Sequence, residues 1–126
     1  MRRAILAIAI VVLAALPAAA GAGTILSGTY ATKIASGPLK GTWSIDFASP
    51  NYTVTFQGMV GVRGRFAISG QRITFHDTGG PQACSGSGVY TFKLAGRRLQ
   101  FTRVSDPAAN CAGRRGVLAQ TFTKSG

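Results

Sequence analysis

From residue 24 onward, apolar and polar side chains alternate in short runs, each ending at Gly, Pro, Asn or Ser. In KGTWSIDF, residues 40–47, Trp43, Ile45 and Phe47 alternate with Thr42, Ser44 and Asp46. A period of two describes a strand with one buried and one wet face. Eight such runs recur: SGTYATKI (27–34), GTWSIDFA (41–48), YTVTFQ (52–57), VGVRGRFAIS (60–69), RITFH (72–76), GVYTFKLA (88–95), RRLQFTRVS (97–105) and RGVLAQTFTK (115–124). Helical spacing is absent after residue 24. The pattern predicts an all-β fold, and the short connections predict antiparallel pairing between chain neighbours.

Two segments repeat one design. GRFAISGQRITF (64–75) and GVYTFKLAGRRLQF (88–101) each read as strand, small residue, glycine, two polar residues and renewed alternation. Taking Ser69-Gly70 and Ala95-Gly96 as two-residue turns sets the register. Phe66 then faces Ile73, Arg65 faces Thr74 and Arg63 faces His76. In the second hairpin Phe92 faces Leu99, Tyr90 faces Phe101 and Lys93 faces Arg98. Each hairpin gains one aromatic face and one basic face, and the same parity turns Tyr30, Trp43, Phe47, Tyr52 and Phe56 inward. Strands this short, with one apolar face, need closure to hide their edges. The expectation is an eight-stranded antiparallel up-and-down barrel spanning residues 24–126.

The start of the chain has a different character. Met1-Arg2-Arg3 is followed by the apolar run AILAIAIVVLAAL and the small-residue exit PAAAGAG. This is a signal-peptide pattern over residues 1–23, with cleavage near Ala20 or Ala22. The competing reading is an uncleaved membrane anchor, since the apolar run approaches spanning length. Pro17 and the alanine–glycine exit favour cleavage, hence a secreted or periplasmic chain with no transmembrane span after signal removal. No cysteine follows either site, which argues against lipid attachment. Cys84 and Cys111 are the two cysteines of the chain. The alternation places both in loops at one end of the sheet, so in an exported protein they are expected to form one disulfide.

Charge adds a second theme. Without Arg2 and Arg3, twelve Lys and Arg face Asp46, Asp77 and Asp106, a net charge near +9 with no glutamate. Such an excess attracts anionic partners: a glycan, an anionic surface or an acidic protein. It is equally what an arginine-rich genome produces, with solubility as the sole consequence. Nucleic-acid binding calls for exposed aromatics among the basic residues, whereas the parity here turns the rings inward.

Gly41-Thr42-Trp43, followed by a β-meander with a late arginine, resembles the calycin superfamily and its lipocalin branch. There a Gly-x-Trp opens the barrel and an arginine near the final strand packs over the indole. Arg114 or Arg115 would take that arginine's place. The chain is also similar to short bacterial exported lipocalin-like proteins with a cysteine before the sixth and eighth strands. It departs from lipocalins in having SGTYATKI ahead of the Gly-x-Trp strand and no helix after the last one. The resemblance implies a barrel that carries a ligand.

An eight-stranded barrel is just wide enough to be filled by side chains or to hold one small ligand. Tyr30, Trp43, Phe47, Phe56, Phe66, Phe75, Tyr90, Phe92 and Phe101 are the candidate lining, and the same rings would equally serve as plain core. Arg103 continues the inward parity of Leu99 and Phe101 opposite Gly88, where it would meet an anionic group of a ligand; the bland alternative is that the strand's end turns it into solvent. The outer basic face comprises Arg63, Arg65, Arg72, Lys93, Arg97 and Arg98. Catalysis has little support: His76, Asp77 and Asp106 could share the cysteine end, but one histidine with two aspartates in loops does not make a triad, and two of the three aspartates sit where aspartate commonly serves turns. One histidine and few carboxylates give no metal-ligand set, and no cofactor is expected. The functional expectation is a non-catalytic binding protein for a small apolar or aromatic ligand. The alternative is a protein-interaction or inhibitor barrel acting through its basic surface and disulfide-stapled loops.

Overall fold

The computed structural model describes residues 26–125. The signal segment proposed for residues 1–23 lies outside the described residues.

Eight antiparallel strands close into a barrel in chain order. They are β1 (Gly28–Ile34), β2 (Gly41–Ala48), β3 (Asn51–Phe56), β4 (Met59–Ser69), β5 (Arg72–Gly79), β6 (Ser87–Ala95), β7 (Arg98–Ser105) and β8 (Thr121–Ser125). Period-two patterning drives this arrangement: in β2, Trp43, Ile45 and Phe47 are buried while Thr42, Asp46 and Ala48 are exposed. Inside, aromatic rings meet mostly edge to face. Phe75 lies 5.2 Å from Tyr52, 5.9 Å from Tyr90 and 5.7 Å from Phe101, and Phe47 lies 5.2 Å from Phe66. Such pairs add about 0.5–1.5 kcal/mol each beyond the apolar area they bury.

The hairpin registers differ from the sequence expectation by two residues. Ser69 pairs with Arg72 and Phe66 with Phe75, so the turn is Gly70-Gln71. Ala95 pairs with Arg98 and Phe92 with Phe101, so the second turn is Gly96-Arg97. Glycine takes the first turn position in both, with φ of +61° and +59°, the requirement of a type II′ turn. A slip of two preserves parity, so the aromatic inner face and the basic outer face of both hairpins stand as expected, Arg103 excepted. The pairings change, however: Arg65 lies opposite His76, and Lys93 lies opposite Gln100 rather than Arg98.

The last run divides. Arg115 to Leu118, expected in a strand, belongs to a short helix, α1 (Ala112–Leu118), preceded by a 3-10 turn (Ala109–Cys111). Strand β8 begins only at Thr121 and pairs with β7 over Arg98–Gln100 alone. Val117 and Leu118, on α1, are buried in the core cluster, so α1 covers the barrel end that β8 does not reach. None of the described helices is long and apolar enough to cross a membrane.

Candidate functional site

The disulfide end of the barrel gathers nearly all the buried charge. Cys84 and Cys111 are bridged, with Cα atoms 5.2 Å apart. Strand β5 runs further than its sequence run implied, so Ile73, Phe75 and Asp77 continue one inward face. Asp77 is therefore a strand residue, correcting its placement in a loop. Its carboxylate accepts the Tyr52 hydroxyl and the Cys84 N–H, the latter at 2.9 Å. Just past β7, the Asp106 carboxylate accepts the Tyr90 hydroxyl and a fork from Arg114 of α1, Nε at 2.8 Å and Nη2 at 2.7 Å. Arg114 Nη2 also donates to the Gly86 carbonyl at 3.1 Å. Arg115 Nη1 donates to the backbone carbonyls of Asp106 and Ala108, at 2.9 and 2.7 Å.

Gly88 makes room for this pair. A Cβ there would lie 2.8 Å from Asp106 Oδ2 and 3.0 Å from Arg114 Nε. The side-chain-free space that the sequence offered to Arg103 is thus taken by Asp106 and Arg114. Arg103 instead pairs with Tyr90 and is exposed, which corrects its inward assignment. Beyond Gln100, β7 has lost β8 as a neighbour, and a long cationic side chain there reaches water rather than paying to be desolvated.

The side chains of Arg114, Asp77 and Asp106 are only 8%, 4% and 0% exposed. Burial on its own would raise the Asp106 pKa. The hydrogen bonds from Arg114 and Tyr90 and the nearby guanidiniums outweigh it and hold the carboxyl below its ordinary value. Tyr52 and Tyr90 shift upward, first by burial and then by their bonds to Asp77 and Asp106. Both phenols therefore stay protonated donors at neutral pH.

Against this polar cluster lies a cavity of about 240 Å³. Leu39, Trp43, Ile45, Val54, Val62, Phe75, Val117 and Leu118 supply its apolar walls, joined by Tyr52, Gln82 and Gly113, with Asp77 and Arg114 at the polar edge. The Trp43 indole N–H is already used, donating to the Leu39 carbonyl at 2.8 Å, so the ring offers its apolar surface. Arg114 Nη1 stands 3.6 Å from Asp77 Oδ1 and has no hydrogen-bond partner among the described residues.

No protein-family model, curated protein or solved structure matches this chain. The eight-stranded antiparallel barrel is consistent with a calycin-like fold. Function has to come from the geometry of the site itself.

Of the residues the sequence proposed as ligand lining, the structure brings Trp43 and Phe75 to this cavity. Tyr30, Phe47, Phe66, Tyr90, Phe92 and Phe101 are buried in the ring-packed core instead. Phe56 is half-buried and packs on Trp43 at 4.5 Å. Arg114 lines the same cavity as Trp43, but it stands on α1 and its guanidinium is held by Asp106. His76 turns to the outer surface, its Nδ1 3.5 Å from Ser87 Oγ, away from the two buried aspartates. Asp77, Asp106 and the orphan donor of Arg114 were missed by sequence reasoning. For Asp77 a signal existed, since it stands two residues beyond the inward Phe75.

Proposed function

We propose that this chain is an exported, non-catalytic binding protein that holds one small apolar or aromatic ligand in the barrel beneath α1. The observation that carries this reading is the 240 Å³ apolar cavity in a barrel whose remaining interior is packed with rings. Eight strands suffice for side chains to fill the interior, so unfilled space bounded by Leu, Val and Trp forfeits packing that an apolar guest restores. An engineered cavity of about 150 Å³ takes up benzene, which sets a one-ring molecule as the natural size. Export is carried by the leader-like N-terminal sequence and by the bridged cysteines, which suit an oxidising compartment.

The test uses toluene as probe and the single tryptophan, Trp43, as reporter. Toluene should perturb Trp43 fluorescence saturably, and Val62→Phe, which fills the cavity, should abolish the response while leaving the barrel folded. A wild-type protein with no saturable response, together with native mass spectra showing no retained small molecule, would overturn the reading.

A second reading is favoured by one observation. Arg63, Arg65, Arg72, Lys93, Arg97 and Arg98 are all exposed, and the ion pairs found among the described residues involve only Arg114. An anionic glycan, surface or acidic protein would neutralise this face. Retention on an immobilised polyanion should weaken steeply with salt and fall further in Arg63→Ser/Arg65→Ser; salt-independent or absent retention would remove it.

A further inference from the structure

We propose that a groove on the outer wall of β6 and β7, at the barrel end away from the cavity, binds a short stretch of an acidic polysaccharide. This rests on the reading of the basic face as a ligand surface and names its place and chemistry. It is independent of the cavity beneath α1.

The groove, of about 490 Å³, lies beside the Gly70-Gln71 turn. Tyr90, Phe92, Leu99 and Phe101 are buried, so Thr91 and Lys93 of β6 and Gln100 and Thr102 of β7 point outward. These four form two cross-strand pairs, Thr91 with Thr102 and Lys93 with Gln100, and all of them line the groove. The Gln71 carbonyl accepts the Phe92 N–H at 2.9 Å, which fixes the hairpin tip against β6 as one wall. Gln100 Nε2 donates to Thr121 Oγ1 at 3.1 Å, leaving its carbonyl oxygen as an acceptor. The ion pairs among the described residues all involve Arg114, so the Lys93 ammonium has none.

Lys93 is the middle of three exposed cations set on a diagonal across the sheet. Arg72 of β5 pairs with Thr91, two residues before Lys93, and Arg98 of β7 pairs with Ala95, two residues after it. Diagonal neighbours of this kind stand roughly 7–8 Å apart, so positive charge recurs at a regular interval across and beside the groove. Arg97 is not part of this line, because its Nη2 donates to the Lys124 carbonyl at 2.7 Å. No carboxylate lines the groove: Asp46 stands on β2, and the Asp77 and Asp106 side chains are buried at the disulfide end. A line of unopposed cations attracts a polyanion, and the groups between them decide which one. Threonine hydroxyls donate and accept, and the Gln100 carbonyl oxygen accepts, which matches the ring hydroxyls of a sugar. A single-stranded nucleic acid would want aromatic rings to stack on, and Tyr90, Phe92 and Phe101 are buried. An acidic protein segment would want an apolar centre, and Leu94 is the exposed large apolar side chain of the lining.

Three probes separate these elements on the disulfide-intact protein: tetragalacturonate, its uncharged methyl ester with the same ring hydroxyls, and an end-blocked tetra-aspartate of equal charge. Titration calorimetry at low salt should show tetragalacturonate binding about tenfold tighter than the ester, as a few exposed ion pairs predict. It should also bind more tightly than tetra-aspartate, and amide NMR shifts should fall on Thr91, Lys93, Gln100 and Thr102. Lys93→Gln should weaken binding about threefold through charge, and Thr91→Val/Thr102→Val by a similar factor through the hydroxyls. Lys33→Gln, on β1 and outside the lining, should change it less than about twofold. All are surface substitutions that leave the barrel folded. Equal binding of tetra-aspartate, or a Thr91→Val/Thr102→Val variant that binds as the wild type does, would overturn the sugar in favour of plain charge attraction. Shifts confined to other strands would overturn the groove. No binding of tetragalacturonate by a protein that an immobilised polyanion still retains would overturn this inference and spare the basic-face reading. No binding and no retention would remove both.

Discussion

Asp106 shows how one residue organises a buried cluster. Its carboxylate takes the Tyr90 hydroxyl and two Arg114 donors, and its backbone carbonyl takes Arg115. Tyr90→Phe removes one of those donors without changing the ring packing against Phe75 and Phe101. The expected cost is about 1–2 kcal/mol in chemical denaturation, the range for a buried hydrogen bond to a charged group. Tyr30→Phe is the control: no hydrogen bond to the Tyr30 hydroxyl is found among the described residues, so its change should stay within about 0.5 kcal/mol. The pH dependence has a definite sign. Asp106 has a folded pKa below its ordinary value, so its contribution is full above about pH 4 and is lost as pH falls through the lower folded value. The gap between wild type and Tyr90→Phe should therefore narrow below about pH 4, and a gap constant across the acid range would sink this account. None of this convergence was legible beforehand. Alternation along β5 carried the signal for Asp77, but Asp106 lies past the end of a strand, where alternation says nothing. Arg103 shows the opposite failure, since parity pointed it inward and access to water drew it out.

At the scale of elements, α1 is the piece that turns a packed barrel into one with a cavity. It presents Gly113, Arg114, Val117 and Leu118 to that space. Its sequence, AGRRGVL, has seven residues, two glycines and no side-chain cap, so its helicity rests on burying Val117 and Leu118 rather than on propensity. That explains why it read as strand: two turns are too short for helical spacing to register against the alternation of TFTK downstream. The eight strands were legible because parity survives a two-residue slip, whereas pairing partners were not, because they depend on which turn position glycine takes. The two helix glycines should behave differently. A Cβ at Gly113 meets nothing within 4 Å, while one at Gly116 would run into Leu39 Cδ1. Gly113→Ala should raise the melting temperature, worth about 0.5–1 kcal/mol from propensity. Gly116→Ala should be less stable than Gly113→Ala and should alter Trp43 emission, because Leu39 carries the carbonyl that holds the indole. Equal melting temperatures for the two variants would mean that Leu39 yields at no cost.

For the whole molecule, the question is what holds α1 over the barrel end. The strand ladder closes without it, and β8 ties β1 to the far end of β7. Three devices remain: the buried Val117 and Leu118, the Asp106–Arg114 fork, and the Cys84–Cys111 bridge. The bridge joins the loop whose Cys84 N–H serves Asp77 to the residue immediately preceding α1. Its sequence separation of 27 corresponds to about 3.5 kcal/mol of unfolded-state restriction in the chain-entropy model. A Cys84→Ser/Cys111→Ser double variant should therefore melt well below the wild type while keeping its β-sheet circular dichroism at low temperature. Because the bridge anchors the start of α1, the variant's affinity for toluene should also fall under conditions where the barrel remains folded. A lowered melting temperature with unchanged toluene affinity would assign the bridge to global stability alone and leave the positioning of α1 to the Asp106–Arg114 fork. An unchanged melting temperature would mean that the fork and the buried Val117 and Leu118 already restrain this end of the chain as tightly as the covalent link does.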